Sequence, residues 1–470
     1  MAGKSEKSLD EKLEALLTGE RVWRFQLWQP LIAAIALIVG VVMFSSFALK
    51  GGEKGANIIE RSANAIASIP LLAHKIVYDI IHRENAQLAQ GQRFKGAVGM
   101  SLASGAAPAG TALALARYEG DSGRGIVEIR SLDDGSIIHV YRPDANEINA
   151  LSKLPKDVID LNRDFSPKRY LPYSPVPEAD GSLVFHAMGS PLVKLDACSL
   201  PVWSVDGNFH HSIERDADGN YWVPELLAKP VIPYVGDDFS DDAITEISPD
   251  GRVLFRKSVA EILIESGLAR VIYSHDQYLP DGTHLNDIQP ALADGPYWKK
   301  GDLFLNLRNP AMIALYRPSK NKLLWTKEGP WLLQHDVDII SDHEIGVFNN
   351  NSAAGPDGFI VRGSNNMLVY DFSTGKVSSP FQKGFEENGV RTKSNGLFTL
   401  LPDGSLMVEE QNYGRLLAFD RTGRKKWSFV NRAPKDGRVF QLGWSRFIGA
   451  GDTAKLKAAY AAHACPAVGK

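Results

Sequence analysis

Three histidines occupy matching places in a repeated unit of this 470-residue chain. They are His211 in Phe209-His210-His211-Ser212-Ile213, His284 in Thr283-His284-Leu285-Asn286-Asp287, and His335 in Gln334-His335-Asp336-Val337-Asp338. The first and third copies run through a polar stretch into a short apolar strand, so that Val223 and Val347 both lie twelve residues beyond their histidine. A repeat that sets imidazole at one position of its fold aims several rings at one point. Clustered imidazoles suit nucleophilic attack when neutral, proton transfer near neutral pH, or a three-histidine zinc shell with an open position. Arg308, in Asn306-Leu307-Arg308-Asn309, argues against the zinc shell, because a fixed cation beside a dication is unfavourable. No metal and no cofactor is therefore expected. A fourth copy keeps the scaffold without the ring: Gly396 stands in the histidine place, twelve residues before Val408.

The elements that position these residues read as repeated hairpins. From Thr111 onward short β-branched and aromatic stretches alternate with turn pairs such as Asp134-Gly135, Asp180-Gly181, Asp218-Gly219, Asp250-Gly251 and Asp403-Gly404, the signature of antiparallel strands. Copy to copy the histidine place advances by 73, 51 and 61 residues, more than the roughly 40 to 50 of a compact propeller blade, so loops are inserted. Trp325 and Trp427 follow turns and suit the docking of one blade on the next. Counting hairpin groups from Ala112 to Gly449 predicts an all-β body, a β-propeller of about six blades. It is drawn over residues 111–450, with residues 451–470 as a tail. The stretch Val439 to Phe447 is expected to pair with early strands and close the ring, since an open edge would be exposed. In such a ring the inner strands converge on one axis, which brings His211, His284 and His335 to a shared pocket.

Ahead of the body, Leu31 to Leu49 is nineteen residues without a charge, long enough to cross the hydrocarbon layer as a helix. A cleavable signal peptide is the competing reading, but its apolar region is shorter and is followed by a small-residue cleavage site. Lys4, Lys7, Lys12, Arg21 and Arg24 precede the span, against Lys50, Lys54 and Arg61 after it, which favours an inside N-terminus. Residues 1–30 are then cytoplasmic, 31–49 span the inner membrane, and the body lies in the periplasm or outside the cell. Asp10 to Leu17 reads as a short amphipathic helix. Asn57 to Ala89 reads as a helical stem broken near Pro70, and Ser101 to Gly110 as a linker, so that residues 50–110 form stem and linker.

A net charge of -3 without a basic stripe excludes the electrostatic footprint of a nucleic-acid binder. The acidic run Asp237 to Asp242 lacks the spacing of a calcium loop and reads as a solvated loop. Cys198 and Cys465 lie 267 residues apart and match no metal spacing. A disulfide between them and a pair of unbonded thiols both remain open at this point.

The His210-His211 pair ahead of Asp218-Gly219-Asn220, His284-Leu285-Asn286-Asp287, Asn306-Leu307-Arg308-Asn309, and Gln334-His335-Asp336 leading to Asn349-Asn350 resemble, in order and spacing, the bacterial arylsulfotransferases. The resemblance runs from about Phe209 to Trp427. It implies a six-bladed propeller that moves a sulfuryl group from an aryl sulfate to a phenolic or other hydroxyl acceptor without a nucleotide donor. It further implies that His335 attacks sulfur and is transiently sulfurylated, that His211 and His284 surround the group, and that Arg308 holds its oxygens. His284 is the expected proton donor and acceptor, and His210, Asn286 and Asn349 the expected substrate contacts. The alternative is a catalytically silent propeller, anchored to the membrane, that binds a protein or glycan. A quinoprotein dehydrogenase fits less well, for no adjacent cysteine pair occurs.

Overall fold

The computed structural model of the chain describes residues 28–50, 57–67, 87–103, 105–155, 159–355, 358–463 and 465. They fall into two compact units that divide between Glu84 and Asn85.

The first unit holds the apolar helix Trp28–Lys50, 23 residues long and so about 34 Å at the usual rise. It is long and apolar enough to cross a bilayer, which is consistent with a single-pass anchor; a signal sequence near an N-terminus has the same look. A second helix, residues 58–67, begins at a reciprocal cap: Asn57 Oδ1 accepts from the amides of Ile59 and Glu60, and Glu60 accepts from the Asn57 amide. The expected helix Asp10 to Leu17 and the expected break near Pro70 lie outside the described residues.

The second unit is all-β and propeller-like. Period-two alternation explains how each sheet is gripped on both faces. In strand Ala112–Glu119, Ala112, Ala114 and Ala116 pack with Tyr170, Leu183 and Phe185, whereas Leu113 and Leu115 pack with Leu416, Trp427 and Trp444. Leu303 and Leu305 likewise face one core and Phe304 the next. Trp325 stacks on Tyr370 of the following sheet with centroids 5.3 Å apart, as expected of a docking tryptophan.

The count of sheets corrects the sequence reading: four separate blade-sized sheets stand where six blades were expected. Three have four strands and one has five. The other blade-forming strands merge into one eight-stranded sheet, because Phe209 pairs with Ser190 on one side and with Glu225 on the other. Each half of that sheet keeps a four-strand meander of its own, Pro172–Pro177 to Pro201–Phe209 and Glu214–Arg215 to Val253–Ser258. A two-stranded ribbon, Ser352–Gly355 with Gly358–Val361, stands apart.

The boundaries shift as well. Gly99–Leu102, which overlaps the expected linker, is the outer strand of the five-stranded sheet and pairs with Lys425–Val430. The compact body thus begins ahead of residue 111. Closure is achieved by Arg446–Ile448 on Ala112 to Ala114 and by a bridge between Arg117 and Leu442. The C-terminal stretch is a helix, Ala450–Ala462, rather than a plain tail: Leu456 is buried, Tyr460 stacks on His139 at 4.0 Å, and a Cys198–Cys465 disulfide ties its end to the body.

Candidate active site

The repeat places its rings by a backbone device. His211 and His284 sit just ahead of inner strands with φ of 58° and 52°, and Asn395 in the fourth copy has 56°. A side-chain-bearing residue in this left-handed region carries strain of about 1 to 3 kcal/mol, which the surrounding fold must hold. In the His335 copy the kink falls two residues earlier, at Leu333 with φ 51°. The fourth copy cannot hold a ring at all. Gly396 has φ 110°, and a Cβ there would lie 2.7 Å from the Phe348 ring.

The His211 ring lies 5.7 Å from that of His284, 6.0 Å from that of His335 and 5.7 Å from Trp444. His335 and His211 are buried, His284 and Arg308 half-buried. Beside them a cavity of about 140 Å³ is lined by His210, His211, Leu226, Asp242, Asp281 and His284, among others. Arg308 reaches within 4.0 Å of Asp281, and its guanidinium carbon stands 6.0 Å from the ring of Phe359 on the two-stranded ribbon.

Hydrogen bonds fix the tautomer of every ring. His335 Nδ1 faces two acceptors, Asn350 Oδ1 at 2.7 Å and Leu333 O at 3.0 Å, so it carries the proton. Asn350 itself donates through Nδ2 to Asn395 O and Thr392 O, which orients its amide. His335 Nε2 is the lone-pair atom and accepts the Asn395 amide at 3.0 Å. His284 Nδ1 donates to Asp281 Oδ2 at 2.5 Å, leaving Nε2 as its lone pair. His210 Nε2 lies 3.2 Å from Asp242 Oδ1 and therefore carries its proton there. Its Nδ1 then accepts from His211 Nδ1 at 2.9 Å, and His211 too presents a bare Nε2. Among the described residues Nε2 of His211 and of His284 has no hydrogen-bond partner.

Burial keeps His335 and His211 neutral. Burial, then the charge of Arg308 and of His284, pushes His335 down to about 3. Burial, with His210, His284, His335 and Arg308 around it, holds His211 well below the usual imidazole range. Burial also draws Arg308 down, opposed by Asp281 and Asp242, yet a guanidinium remains charged. Burial pushes the Asp281 carboxyl up, but the His284 bond and Arg308 outweigh it and hold it below its ordinary value. The result is a pair of buried, neutral imidazoles, His211 and His335, beside one fixed cation.

Among the expected site residues His211, His284, His335 and Arg308 come together here. His210 stands with them, but both its nitrogens are taken. Asn286 donates to Gln334 O and Asn306 to His335 O, so these amides brace the backbone on which His335 sits. Asn349 is spent on its own loop, accepting from Leu332 and Asn351 and donating to Asn366. Asp242 and Asp281 escaped the sequence reading. Asp242 closes an acidic run read as solvated, but Asp241 and Asp242 are buried, and Asp242 Oδ2 takes the Leu285 amide and the Thr283 hydroxyl. Asp281 lies in Pro280-Asp281-Gly282, which looks like a plain turn; its place three residues before His284 was the available signal.

No curated protein matches the chain. Solved structures match the chain at low identity. A protein of unknown function from Bacteroides caccae is 14% identical, with 72% of this chain and 99% of that chain covered and a TM-score of 0.44. Virginiamycin B lyase from Staphylococcus aureus is 13% identical, with 55% and 69% covered and a TM-score of 0.31. The WD40 β-propeller domain of Doa1 is 11% identical, with 77% and 96% covered and a TM-score of 0.36. The arylsulfotransferase (ASST) family matches residues 179–432, more than half the chain and the whole stretch that carries the three imidazoles and Arg308. The chain belongs to the arylsulfotransferase family.

Proposed function

We propose that the protein transfers a sulfuryl group from an aryl sulfate to a phenol or other hydroxyl acceptor through a sulfurylated His335. Nε2 of His335 attacks sulfur, the nitrogen–sulfur bond forms as the aryl–oxygen bond to sulfur breaks, and the departing aryloxide is protonated. In the second half an acceptor hydroxyl attacks the same sulfur, loses its proton, and the nitrogen–sulfur bond breaks. Dividing the transfer in this way lowers each barrier. The Asn395 amide that caps Nε2 gives way as the donor enters and lies beside the sulfuryl oxygens.

His284 is the proton donor and acceptor: the form protonated at Nε2 gives that proton to the departing aryloxide and recovers one from the acceptor hydroxyl, while Asp281 at Nδ1 orients the ring and steadies the imidazolium. Arg308 holds the anionic oxygens through the transition state, and the nearby Phe359 ring suits an aryl donor. The reading rests on one observation, the approach of His211 to both His284 and His335 beside the half-buried Arg308 cation. His210, Asn286 and Asn349 act, on this reading, by supporting the pocket. The silent binding scaffold has no observation in its favour.

We further infer that the apolar helix is an uncleaved anchor in the inner membrane, with the body outside the cytoplasm. The Cys198–Cys465 disulfide supports an oxidising compartment. The deciding experiment incubates the full-length chain in detergent with an aryl sulfate and a phenol, and follows release of the donor phenol and sulfation of the acceptor. His335→Asn should lose about a thousandfold or more in rate, as loss of a covalent nucleophile does. Equal turnover by both proteins removes the covalent mechanism.

A further inference from the structure

Unprotonated Nε2 atoms are poorly matched to a sulfate ester, because its oxygens are acceptors and meet lone pairs. His335 needs its lone pair to attack, but His211 can serve the anion only by presenting N–H. Protonating His211 outright is opposed by its burial and by His284, His335 and Arg308 around it. The row Asp242, His210, His211 offers another route. We propose that binding of the sulfuryl anion takes up one proton, which is stored on His210 against Asp242 while His211 switches tautomer.

The proton balance is simple. At rest His210 donates from Nε2 to Asp242 and accepts at Nδ1 from His211 Nδ1. A proton from solvent arrives at His211 Nε2, and the Nδ1 proton of His211 crosses the 2.9 Å to His210 Nδ1. His211 is again neutral and now points N–H at a sulfuryl oxygen, and His210 is an imidazolium 3.2 Å from a carboxylate. No bond between heavier atoms changes. The positive charge has moved from the side of Arg308 to the side of Asp242, whose second oxygen stays fixed by the Leu285 amide and Thr283. The groups facing the pair are Asp242, His186, His284, His335, Arg308 and, through His284, Asp281. His186 is held near 3 by burial and does not compete for the proton.

The proposal rests on reading this pocket as a sulfuryl site, and its test separates the two. Inorganic sulfate is titrated into the full-length chain in detergent by calorimetry, in buffers of different ionisation enthalpy, so that protons taken up are counted. The wild type should take up one proton more than His210→Gln. That amide can donate to Asp242 and accept from His211, keeping the resting geometry while refusing a proton. Where one proton is taken up on binding, sulfate affinity should fall by about tenfold per pH unit in the wild type and less steeply in the variant. Asp242→Asn gives a second reading if His210→Gln folds poorly, and His284→Gln should retain the extra proton. Equal uptake by the wild type, His210→Gln and Asp242→Asn overturns the relay, and aryl sulfate turnover persisting in the wild type would leave the transferase reading intact. A wild type that neither binds sulfate nor turns over an aryl sulfate overturns both.

Discussion

His335 and Asp336 are neighbours in sequence yet belong to two regions of opposite character. On one side are the imidazoles and Arg308. On the other, a channel cavity of about 170 Å³ is lined by Ser212, Glu214, Asp336, Asp338 and Arg446, among others. There the residue after His211 and the residue after His335 act as clasps between successive inner strands: Ser212 Oγ accepts the Ile288 amide and Asp336 Oδ2 the Phe398 amide. Ser174 Oγ and Asp287 Oδ2 do the same for Ile213 and Val337. Burial, reinforced by neighbouring carboxyls, pushes Asp336 well above the carboxylate range and Asp287 up to about 7. Low polarity has thus kept bases bare on one side, where lone pairs are reactive, and acids protonated on the other, where they need only accept backbone bonds. The lesson is that one hub uses one physical effect for chemistry and for assembly.

The sharpest way to break this comparison is to make the same change at adjacent residues. His335→Asn should reduce sulfuryl transfer by about a thousandfold or more, whereas Asp336→Asn, which keeps a neutral acceptor for Phe398, should stay within about threefold of the wild type. Comparable losses from both would mean that the two sides are not separate in function. Next in size is Asp281→Asn, expected to lower kcat by about ten- to a hundredfold and to move the pH profile, with little effect on the melting temperature. A change in melting without a change in profile would assign Asp281 to the frame instead of to His284.

Much of this was legible in sequence because it is local. Twelve-residue spacing from His211 to Val223 and from His335 to Val347 gave the shared ring position, and alternation gave the strands. What escaped depends on contacts between distant segments. Gly99–Leu102 pairs with residues more than 300 positions away, so its small side chains read as a linker. The merging of two meanders through Phe209 is a matter of register that no local pattern records. Asp242 reaches His210 from the start of a separate strand, and Asp281, though only three residues before His284, sits in what looks like any solvated turn. Neighbours along an extended chain face opposite ways, which sets the Asp336 carboxyl away from the His335 ring, and its bond to Phe398 agrees.

A smaller effect should follow from removing the clasp altogether. Asp336→Ala leaves the buried Phe398 amide without a partner, at a cost of about 1 to 3 kcal/mol, while Asp336→Asn should melt close to the wild type at pH 7. Denaturant titration of the two variants measures the difference. If both lose the same amount, the acceptor bond is not what Asp336 supplies.

The smallest effect is in the pH dependence of stability, and there the two sides have opposite signs. Asp287, raised to about 7, and Asp336 hold protons when folded that an unfolded carboxyl with a pKa near 3.9 has lost. Their contribution is complete below about pH 4 and falls as pH rises, that of Asp287 disappearing through about 7. His335, lowered to about 3, and His211 are bare when folded, though an unfolded imidazole is charged below about 6.5. Their contribution is present above that value and is lost as pH falls. Between about pH 4 and 6.5 the two slopes oppose each other; above 6.5 only the carboxyl slope remains, on the order of 1 kcal/mol per group. Melting followed from pH 6.5 to 8 should therefore decline in the wild type and decline less in Asp287→Asn, and His335→Asn should flatten only the acid limb. If His335→Asn altered the alkaline limb as much as Asp287→Asn does, the channel acids and the pocket bases would be titrating as one network, and their separation in space would not be a separation in energy.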